Sequence, residues 1–268
     1  MCNGSIMDKL ISFSLPLMVS GILQLAFNAV DIIVVGRFSG SQALAAVGST
    51  TALINVFTNL FIGISLGANV LAARFYAAGK DREMSETVHT SITLALISGI
   101  MMAVIGVLLA KWALEIMGTP DDVIGQSALY MRIYFMGMPF FMLYNYGAAI
   151  LRAIGDTKRP LIFLIISGIA NAALNMILVI LFHMGVAGVA IGTIISQLIS
   201  CVLVLTCLYR SEGSYQLRFS KLKINGAYME QIFQVGVPAG IQSTVINLSN
   251  ALLQSSVNSF GSIAMAGY

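Results

Sequence analysis

Charge is what this sequence of 268 residues most lacks. Asp, Glu, Lys and Arg together make up 9% of it, against about a quarter in a soluble domain. So few charges cannot cover a water-facing surface of this size, which excludes a soluble globular protein. Cysteine is scarce as well, at three. Cys201 and Cys207 lie six apart in one apolar run, where no metal-ligand or redox spacing results, so they read as small apolar fillers; Cys2 stands alone. The two histidines, His89 and His183, fall near the ends of different runs on opposite sides and cannot share a metal. No Gly-x4-Gly-Lys-Ser/Thr phosphate loop is present, which leaves an ion gradient or a partner subunit as the source of energy. Well inside the apolar runs there is a single acid, Asp31, and no second intramembrane carboxylate to complete an aspartyl-protease pair. Nothing catalytic remains, so the sequence reads as a non-enzyme without a cofactor. The net charge of +3 arises from Lys and Arg in short loops, and no nucleic-acid partner is expected.

What is present is apolar: 58% of the residues are hydrophobic. Continuous runs rich in Leu, Ile, Ala and Gly predict membrane helices in a lipid bilayer, not the alternating short strands of a barrel. A span needs about 20 apolar residues. Seven runs qualify: 10–35, 44–75, 87–110, 127–151, 161–182, 186–208 and 232–260. The second is long enough to tilt or protrude. The first is longer than a signal-peptide core and has no convincing cleavage site, so no cleavable signal is expected.

Lys and Arg in short loops set the orientation. Arg74, Lys80 and Arg82 follow the second span, Arg152, Lys158 and Arg159 the fourth, and Arg210, Arg218, Lys221 and Lys223 the sixth, with Lys9 in the N-terminal tail. The other side carries Arg37, Lys111 and Arg132 among Glu115, Asp121 and Asp122. The N-terminus is therefore expected in the cytoplasm. The end of the chain repeats its beginning: Pro16, Asn28 and Phe38 recur as Pro238, Asn250 and Phe260, all displaced by 222 positions, and Ala43-Leu44-Ala45 recurs as Ala264-Met265-Ala266 after a one-residue slip. Six spans between the copies give both the same orientation, a parallel repeat of the kind that builds secondary transporters. The expectation is an all-α membrane protein: a six-helix N-terminal lobe over 1–208, a polar cytoplasmic linker over 209–231 with a short surface helix around Asn225–Gln231, and the first helix of a second, repeated lobe over 232–268. The second copy is read as truncated, with its remaining lobe missing.

Polar residues inside the spans mark the interior pathway. A charge at the bilayer centre costs at least about 2.5 kcal/mol, which makes Asp31 a functional candidate. Gln24, Asn28 and Asp31 fall at i, i+4 and i+7 on one face of the first span. Asn55 and Asn59 form an i, i+4 pair in the second; Ser167, Asn171 and Asn175 a stripe in the fifth; Thr193, Ser196, Gln197 and Ser200 one in the sixth; Asn247, Asn250 and Gln254 one in the seventh. Interhelical hydrogen bonds would account for any one of them; together they indicate a polar cavity between helices. Gly63-x-x-x-Gly67 and Gly188-x-x-x-Gly192 permit close helix contact. Pro16, Pro139 and Pro238 are expected to kink spans one, four and seven.

Three stretches carry a family resemblance: Leu15-Pro16 through Val30-Asp31 to Gly36-Arg37 and Ala43-Leu44-Ala45-Ala46; Leu151-Arg152-Ala153-Ile154-Gly155-Asp156-Thr157-Lys158-Arg159-Pro160; and Gly188-Val189-Ala190-Ile191-Gly192-Thr193. With them the whole chain resembles the multidrug and toxic compound extrusion (MATE) antiporters. The resemblance implies a twelve-span, V-shaped fold of two six-helix lobes in a bacterial inner membrane. It implies export of cationic or amphipathic drugs in exchange for Na⁺ or H⁺. Asp31 is similar to the family's first-helix acid, a proton or Na⁺ site. Where some members pair an Asn with an Asp on the fifth helix, this chain has Asn171 and Asn175, so a two-acid site is not expected. Arg152, Gly155 and Asp156 match a structural loop motif. Two other readings follow. A related flippase for lipid-linked oligosaccharides would want a strongly basic cavity, and only Arg132 approaches a span interior. A non-transporting fragment or half-unit is the third.

Overall fold

A computed structural model describes residues 6–261 and Met265 of the chain. Cys2 and most of the Ala264-Met265-Ala266 repeat lie outside the described residues, as does the side chain of Lys9. Among the described residues eight α-helices follow one another: α1 (Ile6–Phe38), α2 (Ser41–Ala77), α3 (Asp81–Ile116), α4 (Asp121–Met136), α5 (Met138–Ala153), α6 (Lys158–Met176), α7 (Gly185–Arg210) and α8 (Gly226–Asn258). The last turn of α6 widens into a π-helical turn over Ile177–Leu181. Every expected span maps to a helix or a helix pair, and the described residues contain no strand.

Among the described residues, five helices are long and apolar enough to cross a membrane: α1, α2, α3, α6 with its π turn, and α7. At 37 residues, α2 is about 55 Å long, well beyond a hydrocarbon core of about 30 Å.

The fourth expected span is not one kinked helix but two, α4 and α5, of 16 residues each. The chain breaks at Gly137. Pro139 has no N–H to continue the α4 ladder, and the amides of Phe140 and Phe141 turn back to the Gly137 carbonyl instead. The break is seated in the core: Phe135, Met138, Met142 and Tyr146 around it are fully buried. Gly99 lets α3 come against it, since a Cβ there would lie 2.6 Å from the Pro139 Cα. Pro16 and Pro238, by contrast, lie inside unbroken helices.

The expected surface helix around Asn225–Gln231 is not a separate element. It is the first turn of α8, which runs from Gly226 to Asn258 because no breaker intervenes and Asn225 caps it, its Oδ1 accepting the Ala227 N–H at 3.1 Å. The connector is correspondingly shorter than expected.

α8 lies along α2, and the two backbones meet through glycine. A Cβ on Gly63 would overlap the backbone of Gly240, and one on Gly67 would overlap the Ile232 carbonyl and the Gly236 backbone; Gly236 and Gly240 face Ile64 and Leu60 in the same way. The contact is thus Gly63-x-x-x-Gly67 set into Gly236-x-x-x-Gly240. Elsewhere α3 packs on α4 and α5, α5 on α7, and α6 between α1 and α7.

Candidate functional site

α1, α6 and α7 meet around Asp31. Two glycines make room for it. A Cβ at Gly168 of α6 would overlap the Phe27 ring of α1, and a Cβ at Gly192 of α7 would overlap Asn175 Oδ1. With no side chain at either point, the three helices approach closely enough for their polar groups to touch.

They form one hydrogen-bonded row. Asn175 Nδ2 donates to Asp31 Oδ1 at 2.5 Å and also reaches Asn171 Oδ1 at 3.3 Å. Asn171 Nδ2 donates to Thr193 Oγ1 at 3.5 Å, and the Thr193 hydroxyl donates to the Val189 carbonyl one turn back at 2.9 Å. Asn175 is 0% and Asn171 6% exposed, while Asp31 is half-buried. The row therefore runs from a half-buried carboxylate through two buried amides to a half-buried hydroxyl. Within it, buried Asn175 Oδ1 has no hydrogen-bond partner. A bare amide oxygen in such a place is costly and is free to accept from a proton or to ligate a cation. The π turn begins two residues after Asn175, a distortion often found beside functional residues.

The structure brings together Asp31, Asn171, Asn175 and Thr193 from the expected set. It does not join Gln24, Asn28 or Asn55 to them. Gln24 and Asn28 are exposed along the middle of α1, on a face turned away from the row. Asn55 is half-buried on α2, and its carbonyl accepts from Asn59 Nδ2 at 2.6 Å. On α8, Asn250 is exposed and Gln254 buried, Gln254 donating to Asn258 at 3.1 Å.

Three further side chains border the row. Tyr130 and Tyr134 of α4 lie within electrostatic reach of Asp31, with their rings 6.0 Å apart. Gln197 of α7 has a buried Oε1 without a partner, pressed against the break at Gly137, where a Cβ would lie 2.7 Å away. Gln197 belongs to the polar stripe of its span. The tyrosines carry only an i, i+4 signal inside an apolar segment, which core packing produces equally well. Among the described residues no three His, Cys, Asp or Glu side chains gather, so any cation here would meet one carboxylate and neutral oxygens.

The loop motif lies elsewhere, between α5 and α6. Gly155 takes a φ of +90° that favours glycine. Asp156 accepts the Arg159 N–H at 3.1 Å and pairs with its guanidinium at 3.2 Å. Arg152 donates from Nε to the Ala148 carbonyl at 3.1 Å. Arg132 is exposed on α4.

The chain is similar to known proteins over nearly its whole length. The sequence model of the MatE family matches residues 16–177. A probable multidrug resistance protein of Bacillus subtilis, YoeA, is 34% identical over 96% of this chain and 57% of its own length. The multidrug export protein MepA of Staphylococcus haemolyticus is 26% identical over 99% of this chain and 59% of its own. Among solved structures, the outward-facing conformation of a multidrug resistance MATE family transporter of the MOP superfamily superposes with a TM-score of 0.87 at 21% identity, over 97% of this chain and 58% of that one. The last likeness shows the fold. The chain spans about three fifths of the length of these relatives.

Proposed function

This chain belongs to the MatE family of transporters, and from that premise we propose that it forms the first lobe, and the opening helix of the second, of a drug exporter. The exporter is an antiporter, moving cationic or amphipathic drugs and toxic compounds out in exchange for Na⁺ or H⁺, and it uses no cofactor. It sits in the plasma membrane with its N-terminus and the connector before α8 in the cytoplasm, where loop Lys and Arg concentrate. The rest of the second lobe completes the drug cavity.

The observation that carries the reading is the bond between Asp31 and Asn175. One acid, alone in an apolar helix, is held from a neighbouring helix by a buried amide. While ionised, the carboxylate accepts the Asn175 N–H and ties α1 to α6. Once it takes a proton it can itself donate, and the bare Asn175 Oδ1 becomes its acceptor if the amide turns over. Once it takes Na⁺, Asn171 Oδ1 and Thr193 Oγ1 offer further oxygens to a hard cation. Either event changes what holds α1, and so changes the cavity that α1 borders. Exposed Gln24 and Asn28 give that cavity uncharged polar groups.

The test is Asp31→Asn in the whole protein, read as gradient-driven efflux of a cationic dye from proteoliposomes. Loss of efflux at normal membrane levels is expected. Full efflux by this variant would overturn the assignment.

A further inference from the structure

Three residues on the first turns of α3 hold the segment that leads into α8. His89 is buried, and both its ring nitrogens are engaged. Nδ1 lies 2.6 Å from the Ser85 carbonyl oxygen, and Nε2 lies 3.1 Å from the backbone nitrogen of Arg218. A carbonyl oxygen only accepts and a backbone N–H only donates. The ring is therefore neutral, with its proton on Nδ1 and a lone pair on Nε2. One position on, the Thr90 hydroxyl accepts the Asn225 N–H at 3.2 Å and reaches the Lys223 carbonyl at 3.5 Å. One turn earlier, Glu86 accepts from the Asn225 side-chain amide at 2.7 Å, and the oxygen of that same amide caps α8. The starting point of α8 is thus set by α3.

We infer that this clasp is a proton-sensitive latch: a second proton on His89 sets an N–H against the Arg218 N–H and releases the connector that positions α8. Every orientation of an imidazolium offers two N–H groups, so no rotation of the ring restores both bonds. Thr90 and Glu86 still hold Asn225, and the stretch around Arg218 loosens first. Solvent approaches through a cavity of about 910 Å³ between α3, the connector and the start of α8. The charged groups lining it are Asp81, Arg82 and Glu86 of α3 and Lys221 and Lys223 of the connector; α8 adds none there. Arg218 brings a further cation on the held residue, and Glu86 is paired with Arg82 at 3.1 Å. Because the Asn225 side chain already caps α8 and Glu86 stands beside it, the cavity reads as an access route and not as an anion site. Resting on the antiporter reading, the consequence is feedback: exchange that delivers protons to the connector side slackens the joint between the lobes.

The latch is tested without transport, so its failure and that of the antiporter reading are distinguishable. Hydrogen–deuterium exchange of residues 217–223 is followed in the whole protein in lipid nanodiscs, at about pH 7.5 and about pH 5.5, with rates corrected for intrinsic pH dependence. Protection of this stretch is expected to fall about tenfold on acidification, the scale of one lost hydrogen bond. His89→Leu is expected to show low protection at both pH values, and Thr90→Val to start lower yet keep the acid-induced loss. Unchanged wild-type protection, or an acid-induced loss that persists in His89→Leu, overturns the proposal. Should the leucine variant not fold, nitrogen NMR of the wild-type ring decides: an Nδ1–H tautomer at neutral pH supports the latch, and an Nε2–H tautomer overturns it.

Discussion

Asp31 and Asn175 divide one job between two helices, and the division can be exchanged. Moving the carboxylate from α1 to α6 with Asp31→Asn and Asn175→Asp keeps one acid and one amide across the same contact. The double variant is expected to recover at least about tenfold more efflux than Asp31→Asn alone, since a hydrogen bond to a charged group contributes about 1.5–3 kcal/mol; equal rates would mean that the acid must stand on α1. Asn175→Leu, which leaves the carboxylate without its donor, is expected to reduce coupled efflux about tenfold or more, measured against dye binding as a control. At this scale the sequence was informative where chemistry is rare. A lone acid in an apolar run stands out, and amides at i, i+4 in another run are natural partners. Gln24, Asn28 and Asn55 carry the same signal as Asn171, yet the structure leaves them outside the row, because a stripe defines a face and not what the face meets. Tyr130 and Tyr134 were invisible for the converse reason: aromatic residues at helical spacing are ordinary core.

At the scale of elements, the spans were legible because their length and continuity leave no other reading. The interruption at Gly137 was not. Prolines at 16 and 238 sit inside intact helices, so Pro139 alone does not announce a break; Gly137 two residues earlier, whose missing side chain leaves room for Gln197, goes with it. Nor did the sequence disclose that Gly63-x-x-x-Gly67 is matched by Gly236-x-x-x-Gly240, since the pairing joins positions far apart in the chain. That seam makes a sharp prediction. Gly240→Leu forces a side chain into the Leu60 backbone and is expected to destabilise the protein by about 1–3 kcal/mol, read from thermal unfolding in detergent. Gly48→Ala, with nothing within 4 Å of the new Cβ, is the control and is expected to be neutral. In the α5–α6 loop, Asp156→Ala removes the acceptor of the Arg159 N–H and is expected to cost about 1 kcal/mol, the usual size of a lost cap.

For the molecule as a whole, orientation is the feature most directly open to experiment. With the three native cysteines replaced, a single cysteine at Glu212 in the connector and another at Asp122 at the start of α4, both exposed, are expected to react with an impermeant thiol reagent from opposite sides, Glu212→Cys from the cytoplasm. Labelling of both from one side would reverse the topology drawn from loop charges. The expected internal repeat says nothing of how α8 docks: α8 lies on α2, and only its glycines and the α3 clasp say so. That docking has a consequence for biogenesis. Between the end of α2 and the start of α8 lie 148 residues, which at ribosomal rates take on the order of ten seconds to synthesise. Throughout that interval the notched face of α2, cut back to bare backbone at Gly63 and Gly67, waits in the lipid for a helix not yet made, and whatever insertion machinery attends the nascent chain has that face to shield.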